Sequence, residues 1–264
     1  MHTFIRMDIM PYQIDPHAWK EVYAEALALV SAYPFLDQDL DGNIKRTQER
    51  ELLIRTERVV GWRTSGDLRS MTQAQSFSLV QDLHFYRNKG SDHIDHYDDI
   101  LHAGVFDHFS KKDQQRYAQP SIAVVFDART NLLPYHIPLL AIACLIEHRF
   151  PRHAMVYGDI ELEQMKQATD WATSILQCPI LLPERADQHK LLDRITPMFR
   201  QETGRLAAFL ECTLHPYDQQ LDAFVRSHFR KKTIERTMPP FSPSTVAEPS
   251  PIYKSTTKLP TSTQ

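Results

Sequence analysis

The sequence predicts a mainly α protein: an irregular multi-helix bundle with at most two or three short strands, followed by a disordered C-terminal tail. Three observations carry this expectation. Apolar residues recur at three- and four-residue steps over much of the chain, the signature of amphipathic helices. Glycine is scarce, with 7 in 264 residues, and tight hairpin turns ordinarily draw on residues that tolerate positive φ. Between Thr237 and Gln264 there are six prolines and eleven Ser or Thr residues, a composition too poor in apolar surface to offset ordering entropy. The resulting division is a flexible N-terminus over 1–10, a helical globular domain over 11–230 and a Pro/Ser/Thr-rich tail over 231–264.

Asp15-Pro16 opens the first helix, with a capping carboxylate ahead of a proline suited to the first helical position. Trp19, Val22, Tyr23, Ala26, Leu27, Val30 and Tyr33 then form one apolar face, and Pro34 ends it. The charged segment from Leu40 to Arg58 reads as a more exposed helix and as a contact face. Val59–Arg63 reads as a short strand or turn, and Ser76–Tyr86 as a helix through Phe77, Val80 and Leu83. Ser121–Phe126 is β-branched and the best strand candidate. Leu139–Phe150 is the most apolar helix and belongs at the centre of the core. His153–Tyr157 is extended. Helices follow over Leu162–Leu176, Asp187–Ile195, Pro197–Leu210 and Pro216–Phe229, and the pattern breaks off at Arg230-Lys231-Lys232.

Composition excludes several classes of function. Single, scattered glycines cannot build a phosphate-cradling loop or a dinucleotide fingerprint. A formal net charge of −3 gives no sign of the basic face that nucleic-acid binding needs, though net charge hides distribution and leaves a local basic patch open. Cys144, Cys178 and Cys212 are odd in number and far apart, so they form neither a disulfide framework nor a thiolate metal site, and they fit a reducing compartment. Met1–Met10 does not read as a signal peptide, and the longest apolar run, around Ile137–Ile146, is too short to span a bilayer. A cytoplasmic protein without a cofactor is expected.

Three constellations have chemical potential. The stretch Asp92-His93-Ile94-Asp95-His96-Tyr97-Asp98-Asp99 carries the ligand types of hydrolytic metal sites, with His93, Asp95, His96 and Asp99 as the candidate ligands. The competing reading is a solvated helix face with Ile94, Tyr97 and Leu101 turned inward. Cys144 and His148 stand four apart and so share a helix face, and a Cys–His pair can make a reactive thiolate; a buried structural cysteine is the plainer account. Asp127, Arg129, His136, Glu147, Arg149, His153 and Asp159 bracket the apolar helix, either lining a pocket or pairing to fix helix packing. Of the tryptophans, Trp19 is assigned to the core, Trp171 to a neighbouring helix or a partner, and Trp62 to a surface anchor.

The runs Phe126-Asp127-Ala128-Arg129-Thr130 and Pro134-Tyr135-His136-Ile137-Pro138, continuing to Glu147, together with Gly158-Asp159-Ile160, Ala168, Trp171-Ala172, Ile175-Leu176 and Pro179-Ile180, resemble a bacterial protein family without assigned enzymatic activity. That family is associated with polymorphic-toxin and immunity neighbourhoods. The resemblance, over about 11–229, implies a bacterial cytoplasmic protein and supplies no site residues. The functional expectation is a non-enzymatic protein-binding domain of the toxin-immunity type, with a protein partner such as a toxin. The alternatives are a metal-dependent hydrolase using the His/Asp cluster, and a helical scaffold without ligand.

Overall fold

The computed structural model describes residues 3–37, 52–54, 59–87, 98–101 and 122–238. Its elements, in order, are β1 (Phe4–Ile9), α1 (Pro16–Ala32), β2 (Phe35–Asp37), β3 (Leu52–Ile54), β4 (Val59–Asp67), β5 (Thr72–Val80), β6 (Ala123–Arg129), α2 (His136–Arg149), β7 (Ala154–Gly158), α3 (Leu162–Leu176), α4 (Gln188–Ile195), α5 (Glu202–Cys212), α6 (Gln219–His228) and α7 (Lys231–Thr237). Short 3-10 turns lie at Leu83–Tyr86 and Glu184–Ala186.

The protein is an α/β fold with two antiparallel sheets, which overturns the expectation of a mainly α bundle. In the first sheet β1 lies between β6 and β7 and is antiparallel to both. Helix α2 therefore connects two strands that run the same way with β1 inserted between them, a split βαβ arrangement. In the second sheet β4 is central. β5 pairs along one edge, while β2 and β3 lie end to end along the other, β3 on Val59–Gly61 and β2 on Thr64–Asp67. The sheets meet where β5 passes β6. The Phe77 and Phe126 rings are 4.1 Å apart, and Gln75 Oε1 accepts from Arg129 N at 2.9 Å. A side-chain amide thus stands in for a backbone carbonyl at the seam.

Each departure from the sequence reading has a local cause. The N-terminus, expected to be flexible, is the central strand of the first sheet: Ile5, Met7 and Ile9 alternate inward, a period of two masked by the small number of repeats. The segment read as a helix over 76–86 is the end of β5 plus a 3-10 turn. Phe77 and Leu79 alternate inward, and Leu83 continues the apolar spacing only because the chain turns back onto the core. Within the 40–58 segment the described residues Leu52–Ile54 pair with β4 and are not helical; the rest of that segment lies outside the described residues. The chain is helical through Thr237 rather than ending at 230, and 239–264 lies outside the described residues. Glycine scarcity did not prevent the β4–β5 hairpin, because Met71 takes the positive φ there.

Other expectations held. Asp15 Oδ1 accepts from His17 N and Ala18 N at 2.9 Å and caps α1. Helix α2 is enclosed, with Leu139 through Ile146 all buried, and sits at the centre of the main core between the first sheet, α1 and α3. Trp19 is in that core. Trp62 is too, which corrects its assignment as a surface anchor: it is fully buried and donates Nε1 to Asp37 at 2.9 Å. The Phe35, Trp62, Phe77 and Phe126 rings follow one another at 4.9, 5.1 and 4.1 Å, edge to face, a geometry aromatic pairs favour. A second core of Leu191, Ile195, Leu206, Phe209, Phe224 and Val225 holds α4–α6 together. Among the described residues no helix is long and apolar enough to cross a membrane.

Candidate functional site

Asp99 is the one candidate metal ligand within the described residues; His93, Asp95 and His96 lie outside them. It is buried and fully engaged. Arg194 grips it with two parallel bonds, Nε to Oδ2 and Nη2 to Oδ1, both 2.8 Å. Arg152 approaches at 3.4 Å, and Leu101 N donates to Oδ1 at 3.0 Å. Burial works against the Arg194 charge, but the Asp99 pair outweighs it and the guanidinium pKa ends raised. Asp99 thus acts as an anchor for α4. Among the described residues no three His, Cys, Asp or Glu side chains converge as a metal site. Asp99→Asn preserves shape and removes charge. In urea unfolding, Asp99→Asn and Arg194→Met should fail to add, with a coupling of about 1–3 kcal/mol.

A second buried pair closes an edge. Val156 of β7 turns its backbone N–H and C=O away from β1. Glu147 Oε2 accepts from Val156 N at 2.8 Å, and Arg185 Nη2 donates to Val156 O at 2.6 Å. Arg185 and Glu147 meet each other at 3.0 Å with both side chains 4% exposed. Glu147 plays the missing carbonyl and Arg185 the missing amide of a next strand, so the outward backbone groups of Val156 are satisfied without another strand.

The seven-residue polar set does not converge on a pocket. Asp127 lies 3.6 Å from Arg6, Arg149 pairs with Glu25 at 2.7 Å, and Glu147 faces Arg185. His136 Nδ1 meets Thr130 Oγ1 at 2.6 Å, at the buried start of α2. Burial lowers the His136 pKa, with Gln164 opposing; His148 and His153 are lowered for the same first reason. The unfolded chain therefore takes up these protons at higher pH than the folded chain. Stability is full above about pH 7 and falls as pH drops below about 6.5. The urea midpoint should decline between pH 7.5 and 5.5, and His136→Gln should flatten that decline; an unchanged slope would remove His136 from the account.

Cys144 is a structural thiol. Burial pushes its pKa far up, with Glu147 adding to the effect, while His148 accepts from Leu181 N at 3.3 Å. Sequence reading missed a cluster on the outer face of the first sheet. Arg6 Nε donates to Asp8 at 3.0 Å, Tyr157 O–H donates to the other Asp8 oxygen, and the Arg6 guanidinium lies 5.4 Å from the Tyr157 ring centroid. Burial raises the Asp8 pKa, with Arg6 opposing. The alternation that buries Ile5 and Met7 places Arg6 and Asp8 opposite, so this cluster was legible once β1 was read as a strand.

Two surface features stand out among the described residues. A groove of about 900 Å³ runs between α6 and α7, over Phe229 and Ile234, and its charges answer one another: Asp222 with Arg226 at 2.6 Å and Lys231 with Glu235 at 3.9 Å. At one end of the sheets, large apolar side chains face solvent: Leu68 at 39%, Met71 at 55% and Leu132 at 54% exposure. Met71, Asn131 and Leu132 all hold positive φ, near +50°. No family model, curated protein or solved structure matches the chain.

Proposed function

We propose that this chain is a non-enzymatic protein-binding domain of the toxin-immunity type, acting in the bacterial cytoplasm on a protein partner such as a toxin. One observation carries the reading. Bulky apolar side chains are held outward on strained backbone at one end of the sheets, while the buried acids and bases described above are spent on one another. Apolar side chains displayed in water are the usual mark of a protein contact when they gather at one place. A metal-dependent hydrolase built on the His/Asp stretch would have to take Asp99 from Arg194, and a ligand-free scaffold gives no reason for the outward display.

The experiment is co-purification with the product of the adjacent gene. A 1:1 complex on size exclusion, and protection of cells from that product's toxicity, are the expected results. Separate elution together with no protection would remove the reading.

A further inference from the structure

The protein-binding reading leaves open which face binds and what chemistry the partner presents. We infer that the tip formed by the β4–β5 turn and the loop after β6 is the docking face, and that it takes a protein surface presenting carboxylates around an apolar socket. This inference rests on the proposed function and deepens it.

The two turns share one end of the fold. Phe77 lies against Phe126 and Gln75 bonds to Arg129, so β5 and β6 run antiparallel. Met71 precedes the start of β5 and Leu132 follows the end of β6. Their side chains, with Leu68, are therefore displayed from neighbouring turns.

Both Met71 and Leu132 sit at φ +56°, where L side chains are strained and glycine is not. Their side chains gain little from folding, being more than half exposed. A bulky apolar residue kept on strained backbone and pointed at water needs a reason outside the fold. The turns are also held firmly. Asp67 accepts from Ser70 N at 2.7 Å, and Leu68 N donates to Pro34 O at 2.9 Å. Thr130 N and Asn131 N both donate to Thr3 O, at 2.9 and 3.1 Å. A partner would meet side chains on an already ordered backbone, which lowers the ordering cost of binding.

Charge selects the partner. Arg69 and Arg129 are exposed, within three residues in sequence of Leu68, Met71 or Leu132, and neither joins an ion pair among the described residues. Asp67, the acid of the β4–β5 turn, is buried and turned toward Ser70. Two arginines around an apolar knob match a carboxylate-rimmed socket. They are too few for an anionic membrane, which draws on clusters of about four to eight basic residues, and they make no basic stripe for nucleic acid.

The test places a photo-crosslinking amino acid at Met71 in cells, identifies the captured protein, and measures its affinity for purified variants. Met71→Gly and Leu132→Gly are expected to melt no lower than the parent yet bind at least tenfold more weakly. Arg69→Glu with Arg129→Glu is expected to lose at least tenfold and to flatten the salt dependence. Glycine variants that melt well below the parent would assign these side chains to the fold and overturn the inference. Unchanged affinity in every tip variant would move the docking face elsewhere while leaving the protein-binding reading intact. Failure of the parent to bind any protein, the adjacent gene's product included, would remove that reading and the tip with it. Parent binding to anionic phospholipid vesicles, lost in the glycine variants, would replace the protein partner with a membrane.

Discussion

Arg185→Met is expected to lower stability by about 3–5 kcal/mol, because it leaves a buried carboxylate without its counter-charge. Glu147 would keep its bond from Val156 N but lose all three bonds from the guanidinium, and Val156 O would lose its donor. Arg185→Lys should recover only part of the loss, since an ammonium cannot hold the carboxylate side-on and reach the carbonyl from the same fork. Removing both partners, as Glu147→Leu with Arg185→Met, takes away the buried charges together. The double variant should therefore fall short of the sum of the singles. It still strands the Val156 backbone groups, so a residual loss of about 1–3 kcal/mol is expected. Urea unfolding of the parent, Arg185→Met, Arg185→Lys, Glu147→Leu and the double variant measures all of this. A double variant as stable as the parent would show that the β7 edge does not need these side chains.

Trp62→Ala is the second large effect, about 3–5 kcal/mol from cavity formation and lost transfer energy. Its ring links Phe35 to Phe77, and Phe77 in turn touches Phe126 across the seam between the sheets. The loss should therefore loosen the seam as well as β4. Amide exchange at Arg129, whose N–H is held by Gln75, should accelerate with that of β4 and β5. Trp62→Phe keeps most of the packing and loses only the donor to Asp37, for about 1–2 kcal/mol. A thermal scan separates the two variants, and an alanine variant that melts within a degree or two of the parent would return Trp62 to the surface.

The helices were legible because their signals are local. Asp15-Pro16 fixes a start within three residues, Asp187 caps α4 in the same way, and the run from Leu139 to Ile146 identifies a helix enclosed on every side. The strands were not legible because short apolar alternation competes with helical spacing. Phe77 and Val80 are three apart and fit a helix until Leu79 is seen to be buried as well. Ile5, Met7 and Ile9 give only three repeats. The ion pairs were out of reach for a different reason. Glu147 and Arg185 are 38 residues apart, and Asp99 and Arg194 are 95 apart, so no spacing rule joins them. The His/Asp stretch showed the reverse problem: composition favoured metal ligands, while a distant arginine decided what Asp99 does. The exposed tip was hidden by the glycine argument itself, since the turns that need positive φ use Met71, Asn131 and Leu132.

The side-chain closure of β7 also orders events during synthesis. Chains emerge from the ribosome N-terminus first, and domains begin to fold as they appear. A nascent chain that has released residues up to about 180 holds β1, β6, α2 and β7, and it already carries Glu147. It does not yet hold Arg185. During that interval Val156 O lacks the donor that Arg185 later brings, while Val156 N is already held by Glu147. Translation of the next few codons supplies that donor. A chain halted before Arg185 would keep Val156 O without its donor, whereas the chain extended through α7 supplies Arg185 and also covers the apolar face of α4.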